Sequence, residues 1–146
     1  MPSRKQLWHE IEVAPQFFDL DSMGIVWHGH YVRFLEQARS ALLTQVGYDY
    51  EEMAASGYSW PVVDLRLKYV RPLTLKQPVR VRAEIVEYEN RLKIDYVLRD
   101  AVSGTKLTTG YTIQVAVEMK TNEVQYVCPR ALIDALGIGV DGERRW

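Results

Sequence analysis

The chain has 146 residues and is short of the features that mark several protein classes. Its one cysteine, Cys128, excludes an internal disulfide and any multi-cysteine metal site. Such sparing use of cysteine fits a reducing, cytoplasmic setting. Neither charge is in excess: 18 Lys and Arg face 19 Asp and Glu, for a net charge of -1. Nucleic-acid binders usually carry a basic surplus, so no nucleic-acid partner is expected. No apolar run approaches the roughly 18–20 residues that span a bilayer. The opening MPSRKQLWHEIEV holds no apolar stretch, so it does not read as a secretory signal. Internal repeats, linkers and low-complexity tracts are absent as well, and the length implies a single domain over residues 1–146.

What remains is an ordinary globular composition, 47% apolar and 25% charged, so the information lies in its order. Lys5–Val13 is strand-like, with Ile11 and Val13 alternating against Glu10 and Glu12. Tyr31, Phe34, Leu35, Ala38, Leu42 and Val46 recur at helical spacing, which predicts a helix over Tyr31–Val46 ended by Gly47. Asp49–Ser56 predicts a short second helix ended by Gly57. From Ser59 the period falls to two. Apolar residues alternate through Val63–Tyr69, Val79–Ile85, Leu92–Leu98 and Thr109–Met119, with turn chemistry at Ser103-Gly104. Arg130–Leu136 predicts a last short helix. Four consecutive strands with short connections predict antiparallel pairing. One apolar sheet face needs a cover, and the long helix is the element available. The expected architecture is α+β: a curved antiparallel sheet wrapped around one long central helix. The second face of that helix is not very polar, so burial on most sides is expected. Sheet edges need covering, and a second copy of the chain is one way to cover them.

The segment FFDLDSMGIVWHGHY concentrates the chemistry. Asp19 and Asp21 precede Gly24, which permits a tight backbone path. His28, Gly29 and His30 lead directly into the helix N-terminus. Helix N-termini offer unpaired N–H groups and partial positive charge, which can hold an oxyanion formed during acyl transfer. A carboxylate beside that point could attack a carbonyl or deprotonate water. Read alone, Asp-x-Asp before Gly is equally common turn chemistry, and His30 could simply cap the helix. Two aspartates and two histidines also raise a metal reading, but their spacing fits no zinc or calcium pattern.

FFDLDSMGIVWHGHYVRFLEQAR resembles the signature of hot-dog-fold acyl-CoA thioesterases, in the 4-hydroxybenzoyl-CoA thioesterase family with its Tol-Pal-associated bacterial branch. The run WPVVDLRLKYVRPL is similar to that family's first long strand, ended by Pro72, and the likeness extends from about Leu7 to Cys128. The resemblance implies hydrolysis of an acyl-CoA or acyl-carrier-protein thioester without cofactor or metal. It implies a homodimer or a dimer of dimers. It puts Asp21 at the catalytic carboxylate, as nucleophile or general base, and His28 at the helix-head position whose amide polarises the carbonyl. Gly24, Trp27 and Tyr31 fall on the signature around them. Arg91 and Lys93 fall where CoA phosphates are contacted, in a locally basic stretch that also reads as an ordinary solvated sheet face. The chain departs from the usual pattern at His30, Lys76-Gln77 and near Lys93, which bears on acyl and CoA preference.

Rival readings stand beside this one. Asp19 reads as a loop carboxylate bonded to backbone. Asp64 sits on the face opposite Val63 and Leu65. Glu36 is a second carboxylate, on the central helix. Most of Phe17, Phe18, Trp27, Tyr58 and Trp60 read as core, and Cys128 reads as inert. The alternative functions are an acyl-thioester-binding hot-dog protein without turnover, or a 3-hydroxyacyl thioester dehydratase using His28.

Overall fold

The computed structural model describes residues 5–138; residues 1–4 and 139–146, part of the expected single domain, lie outside the described residues. Trp8–Val13 forms β1, shorter at its start than the alternation implied. Tyr31–Val46 forms α1, with the bounds its spacing predicts. Gly47 ends it at φ 84°, a left-handed turn that suits glycine, and its N–H returns to the carbonyls of Leu43 and Thr44. Asp49 caps α2 (Tyr50–Ala55), where the Asp49 and Glu52 side chains each accept from the other end's backbone amide.

One stripe of α1 is buried, through Tyr31, Phe34, Leu35, Ala38, Leu42, Leu43 and Val46. Arg33, Glu36 and Gln37 on the other side are exposed, so burial on most sides is not what the single chain has. The helical run also starts earlier than the spacing shows. A 3-10 turn, His28–His30, leads straight into α1. His30 is thus inside the run, already in right-handed helical conformation, and its side chain caps nothing.

The remaining strands are β2 (Tyr58–Ser59), β3 (Val62–Tyr69), β4 (Val79–Glu87), β5 (Leu92–Asp100), β6 (Lys106–Gln114), β7 (Val117–Glu118) and β8 (Glu123–Val124), followed by α3 (Arg130–Ala135). The main sheet is antiparallel, in the order β1-β4-β5-β6-β3. Strands β4, β5 and β6 pair in sequence, but β3 does not pair with β4. It crosses to the far edge and pairs with β6. The connection from Pro72 to Pro78 is too long for a tight hairpin, and its prolines withhold two amide donors. Helix α1 packs chiefly on β1 and β4.

The stretch read as one strand over Thr109–Met119 is corrected in two ways. It breaks after Gln114, and Val117–Glu118 joins β2 and β8 in a small second sheet. Its inward face is also the opposite one. Leu92, Ile94, Tyr96 and Leu98 of β5 lie directly across from Gln114, Thr112, Gly110 and Thr108. Opposed residues share a sheet face, so the polar set of β6 faces the core. Tyr111 and Ile113 share the outer face with Asp95 and Lys93. The inward polar groups have work there. Thr112 Oγ1 meets the Tyr96 hydroxyl at 2.8 Å, and Gln114 Nε2 donates to the Trp60 carbonyl at 2.8 Å. At Gly110 a Cβ would stand 2.3 Å from the Arg66 carbonyl oxygen, so only glycine fits between β6 and β3.

Candidate functional site

Residues 20–26 form a tight loop whose ends meet at a Leu20–Val26 bridge. The Asp21 N–H donates to the Ile25 carbonyl at 2.8 Å, and the Gly24 N–H donates to the Asp21 carbonyl at 3.1 Å. Gly24 turns the chain at φ 81°. Asp21 Oδ1 accepts from the Met23 amide at 2.8 Å, which fixes the carboxylate at the loop's base. Among the described residues, Asp21 Oδ2 has no partner.

A second carboxylate anchors this loop to the helix. Asp19 is buried; its Oδ2 accepts from the Gln16 amide at 2.8 Å and its Oδ1 pairs with Arg33 of α1. Its carbonyl takes the Trp27 N–H at 2.9 Å. The reading of Asp19 as a backbone-bonding loop carboxylate agrees with this, and the link to Arg33 adds a tie to α1. Burial of a charge is tolerated when it is paired in this way.

Asp21, Ile25, His28, Tyr31, Tyr69 and Arg71 line one cleft of about 320 Å³ at the head of α1. The amides of His28 and Gly29 stand at that head and donate to no carbonyl among the described residues, as first-turn amides do. The Tyr69 hydroxyl donates to the His28 carbonyl at 2.9 Å, and the Leu73 amide donates to the Tyr31 hydroxyl at 3.2 Å. Burial pushes both phenols above their ordinary pKa, so both keep their protons at neutral pH. The Tyr31 and Tyr69 rings meet edge-on with centroids 4.8 Å apart. The cleft therefore combines a fixed carboxylate, a positive helix end and two neutral phenols. That combination can bind a carbonyl, stabilise an oxyanion and bring an acid to it.

The structure brings Asp21, His28 and Tyr31 together. Gly24 shapes the loop without lining the cleft. Trp27 lies over the helix head. A Cβ on Gly29 would fall 2.2 Å from its ring, so glycine is needed there for the indole to rest on the backbone. Arg91 and Lys93 are elsewhere. Arg91 Nε binds Glu87 Oε2 at 2.6 Å, and Lys93 lies on the outer sheet face with Nζ 4.6 Å from the Tyr111 ring. Asp64 is on that outer face too, across from Ile113. Glu36 pairs with Arg39. Cys128 is buried and its thiol is pushed up to about 12, chiefly by desolvation, which suits an inert thiol. Phe17, at 81% exposed, and Phe18 are surface residues, whereas Trp60 is core. Tyr69, which sequence reasoning does not single out, also lines the cleft; its one signal in the sequence is its place at the strand end just before the Val70–Pro72 loop.

An antiparallel sheet packed on one long helix, with a cleft at the helix head, defines a hot-dog domain of the thioesterase kind. The profile of the thioesterase-like superfamily matches residues 15–136, and the chain belongs to that superfamily. A presumptive esterase of Synechocystis is 31% identical over 123 residues, which cover 84% of this chain and 74% of that one. A presumptive acyl-CoA thioesterase of Bacillus subtilis is 37% identical over 77 residues, covering 53% of this chain and 56% of that one. The chain thus spans about half the length of this second relative. The DHNA-CoA thioesterase of Staphylococcus aureus superposes with a TM-score of 0.74 at 25% identity, covering 82% of this chain and 80% of that chain. No helix among the described residues is long and apolar enough to cross a membrane.

Proposed function

We propose that the protein hydrolyses acyl-CoA thioesters to a free acid and CoA, in the 4-hydroxybenzoyl-CoA thioesterase branch. The observation that carries this reading is the shared cleft: Asp21 and the His28 end of α1 line it together. The carbonyl oxygen of the thioester sits against the His28 amide, which takes up the developing negative charge. Asp21 then acts in one of two ways. It attacks the carbonyl carbon, expels the CoA thiolate and leaves an acyl-aspartyl anhydride that water hydrolyses. Or it takes a proton from water, whose oxygen attacks as the thiolate leaves. Either route gives the same products and needs no cofactor or metal. Trp27 and Tyr31 flank the reacting group, Tyr31 from the cleft wall. Arg91 and Lys93 lie outside the cleft of their own chain, so their proposed contact with the CoA phosphates is to a substrate bound between two copies.

A homodimer or dimer of dimers is part of the proposal. Among the described residues the outer edge of β3 has no partner strand, and Leu65 on that strand is 38% exposed. An open, apolar edge of this kind favours pairing with another strand. Tyr69 at the end of β3 reaches the cleft, so an interface at that edge lies next to the site. The proposed setting is the cytoplasm.

The test is Asp21→Asn assayed for thiol release over a panel of aliphatic and aromatic acyl-CoAs. Loss of the carboxylate is expected to lower kcat by about 10²–10⁴-fold, with the fold kept because Asn retains an oxygen for the Met23 amide. Undiminished turnover in a folded variant sinks the assignment. Water elimination from a 3-hydroxyacyl thioester by the unmodified protein would replace hydrolysis with dehydration.

A further inference from the structure

Asp19 and Arg33 do not line the Asp21 cleft, yet they join its two halves. Asp19 stands at the neck of the 20–26 loop that carries Asp21. Arg33 is the third residue of α1, the helix whose head carries the His28 amide. Two rungs close the neck: the Trp27 N–H donates to the Asp19 carbonyl at 2.9 Å, and the Asp21 N–H donates to the Ile25 carbonyl at 2.8 Å. A shift of Asp19 is therefore passed to Asp21 along one arm of the loop and to Trp27 and His28 along the other.

Every polar atom of Asp19 is engaged. Its N–H donates to the Gln16 carbonyl at 2.9 Å, its Oδ2 accepts from the Gln16 amide at 2.8 Å, its carbonyl holds Trp27, and its Oδ1 pairs with Arg33 Nη2. Of these bonds only the last reaches α1. The guanidinium is held as well, 5.6 Å from the centre of the Phe18 ring beside the loop and 5.2 Å from that of Phe34 on the helix. Stability alone is a poor reason for this arrangement. A cation in the first turn of a helix opposes the macrodipole. A carboxylate only 1% exposed also carries a desolvation cost that its partner does little more than offset, and an apolar pair of similar volume would anchor the segment as well. What the ion pair adds is direction, because a planar guanidinium facing a fixed carboxylate oxygen restricts geometry in a way that apolar contact does not.

We propose that the Asp19–Arg33 pair is a positioning device for hydrolysis: it sets the placement of the Asp21 carboxylate relative to the head of α1. Both are positioning residues, which act through Asp21 and the His28 amide without touching the reacting atoms. The inference rests on the reading of Asp21 and His28 given above. A misplacement of about 1 Å at such a site costs on the order of 10²-fold in rate.

The experiment compares Arg33→Met, Arg33→Lys and Asp19→Asn with the unmodified full chain, on the acyl-CoA of the panel that is turned over fastest. Arg33→Met is expected to lower kcat by about 10–10²-fold with KM within about threefold. Arg33→Lys keeps the charge without the planar fork and should recover part of that loss. Asp19→Asn keeps an oxygen for the Gln16 amide and leaves a guanidinium whose side chain is 44% exposed and so reaches water; it should fold and lose kcat to a similar extent. The double variant Asp19→Asn/Arg33→Met should be no slower than the slower single one, as expected of two side chains acting as a unit. Two controls separate placement from stability. Ile94→Ala, which weakens the core in β5, should keep its kcat within about twofold. In Arg33→Met, hydrogen exchange at the Asp21 and Trp27 amides should accelerate at least about tenfold more than at the amides of β5, the mark of local rather than global opening. Unchanged kcat in folded Arg33→Met and Asp19→Asn overturns the proposal. So does an Ile94→Ala variant slowed as much as Arg33→Met, or exchange that rises equally in the loop and in β5. Full turnover by Asp21→Asn would remove the reading of Asp21 instead, and the exchange comparison alone would then decide whether the pair orders the loop.

Discussion

Strands β5 and β3 flank β6 on its two sides and carry similar alternations: Leu92, Ile94, Tyr96, Leu98 in one, and Leu65, Leu67, Tyr69 in the other. Their fates differ. Ile94 is wholly buried, whereas Tyr69 is 46% exposed. The register explains which face each residue takes, since both sets oppose the same inward residues of β6: Thr108, Gly110 and Thr112. It does not explain coverage. Helix α1 lies on β1 and β4, toward the β5 side of the sheet, and leaves the β3 end open. Alternation in a sequence thus encodes sidedness, and burial depends on what arrives on top. The uncovered half is also the half that holds the cleft, through Tyr69 and Arg71.

The largest effect that tests this contrast is in β5. Ile94→Ala opens a cavity in a filled core and is expected to cost about 2–5 kcal/mol, read as a lower denaturation midpoint in urea with an unchanged slope. Leu65→Ala in β3 removes a comparable side chain from a half-open surface and should cost less than about 1 kcal/mol in the monomer. An equal loss at both sites would erase the distinction. Leu65→Lys sharpens it. A charge on an open edge opposes strand pairing, so the variant should keep its fold and sediment as a monomer. If it keeps the mass of the unmodified protein, the β3 edge is not the interface.

The legible parts of the fold are those fixed by neighbours in sequence. The bounds of α1 follow from its spacing and Gly47. Asp21, Gly24, His28 and Tyr31 fall within eleven residues, so a single loop and helix start bring them together. The illegible parts depend on partners far along the chain. Arg33 is fourteen positions from Asp19, and Tyr69 is 41 from His28. The inward face of β6 is not legible in the sequence for a related reason. Tyr111 and Ile113 look like core and Thr112 and Gln114 do not, yet the hydroxyl of Tyr96 and the carbonyl of Trp60 need polar partners inside. Apolar count alone does not carry that requirement.

The smallest effect expected distinguishes how the two strands end. Strand β3 ends on Tyr69, whose hydroxyl ties it to the helix head. Strand β5 ends on Asp100, which closes its own turn. Asp100 Oδ1 accepts from the amides of Val102 and Ser103 at 2.9 and 2.8 Å, and Oδ2 accepts from Gln77 Nε2 at 2.9 Å. The Gln77 bond first, then the two amides, hold its pKa down from 3.8 to about 2. A carboxyl depressed in the folded state favours folding above its unfolded pKa and loses that contribution as pH falls through the folded value. The stability of the unmodified protein should therefore contain a component that fades between about pH 4 and pH 2. In Asp100→Asn that component is gone, so the two urea midpoints should differ at pH 6 and converge toward pH 2. A gap that stays constant over this range would mean that the carboxylate charge plays no part in the turn, and that β5 is held by its buried face alone.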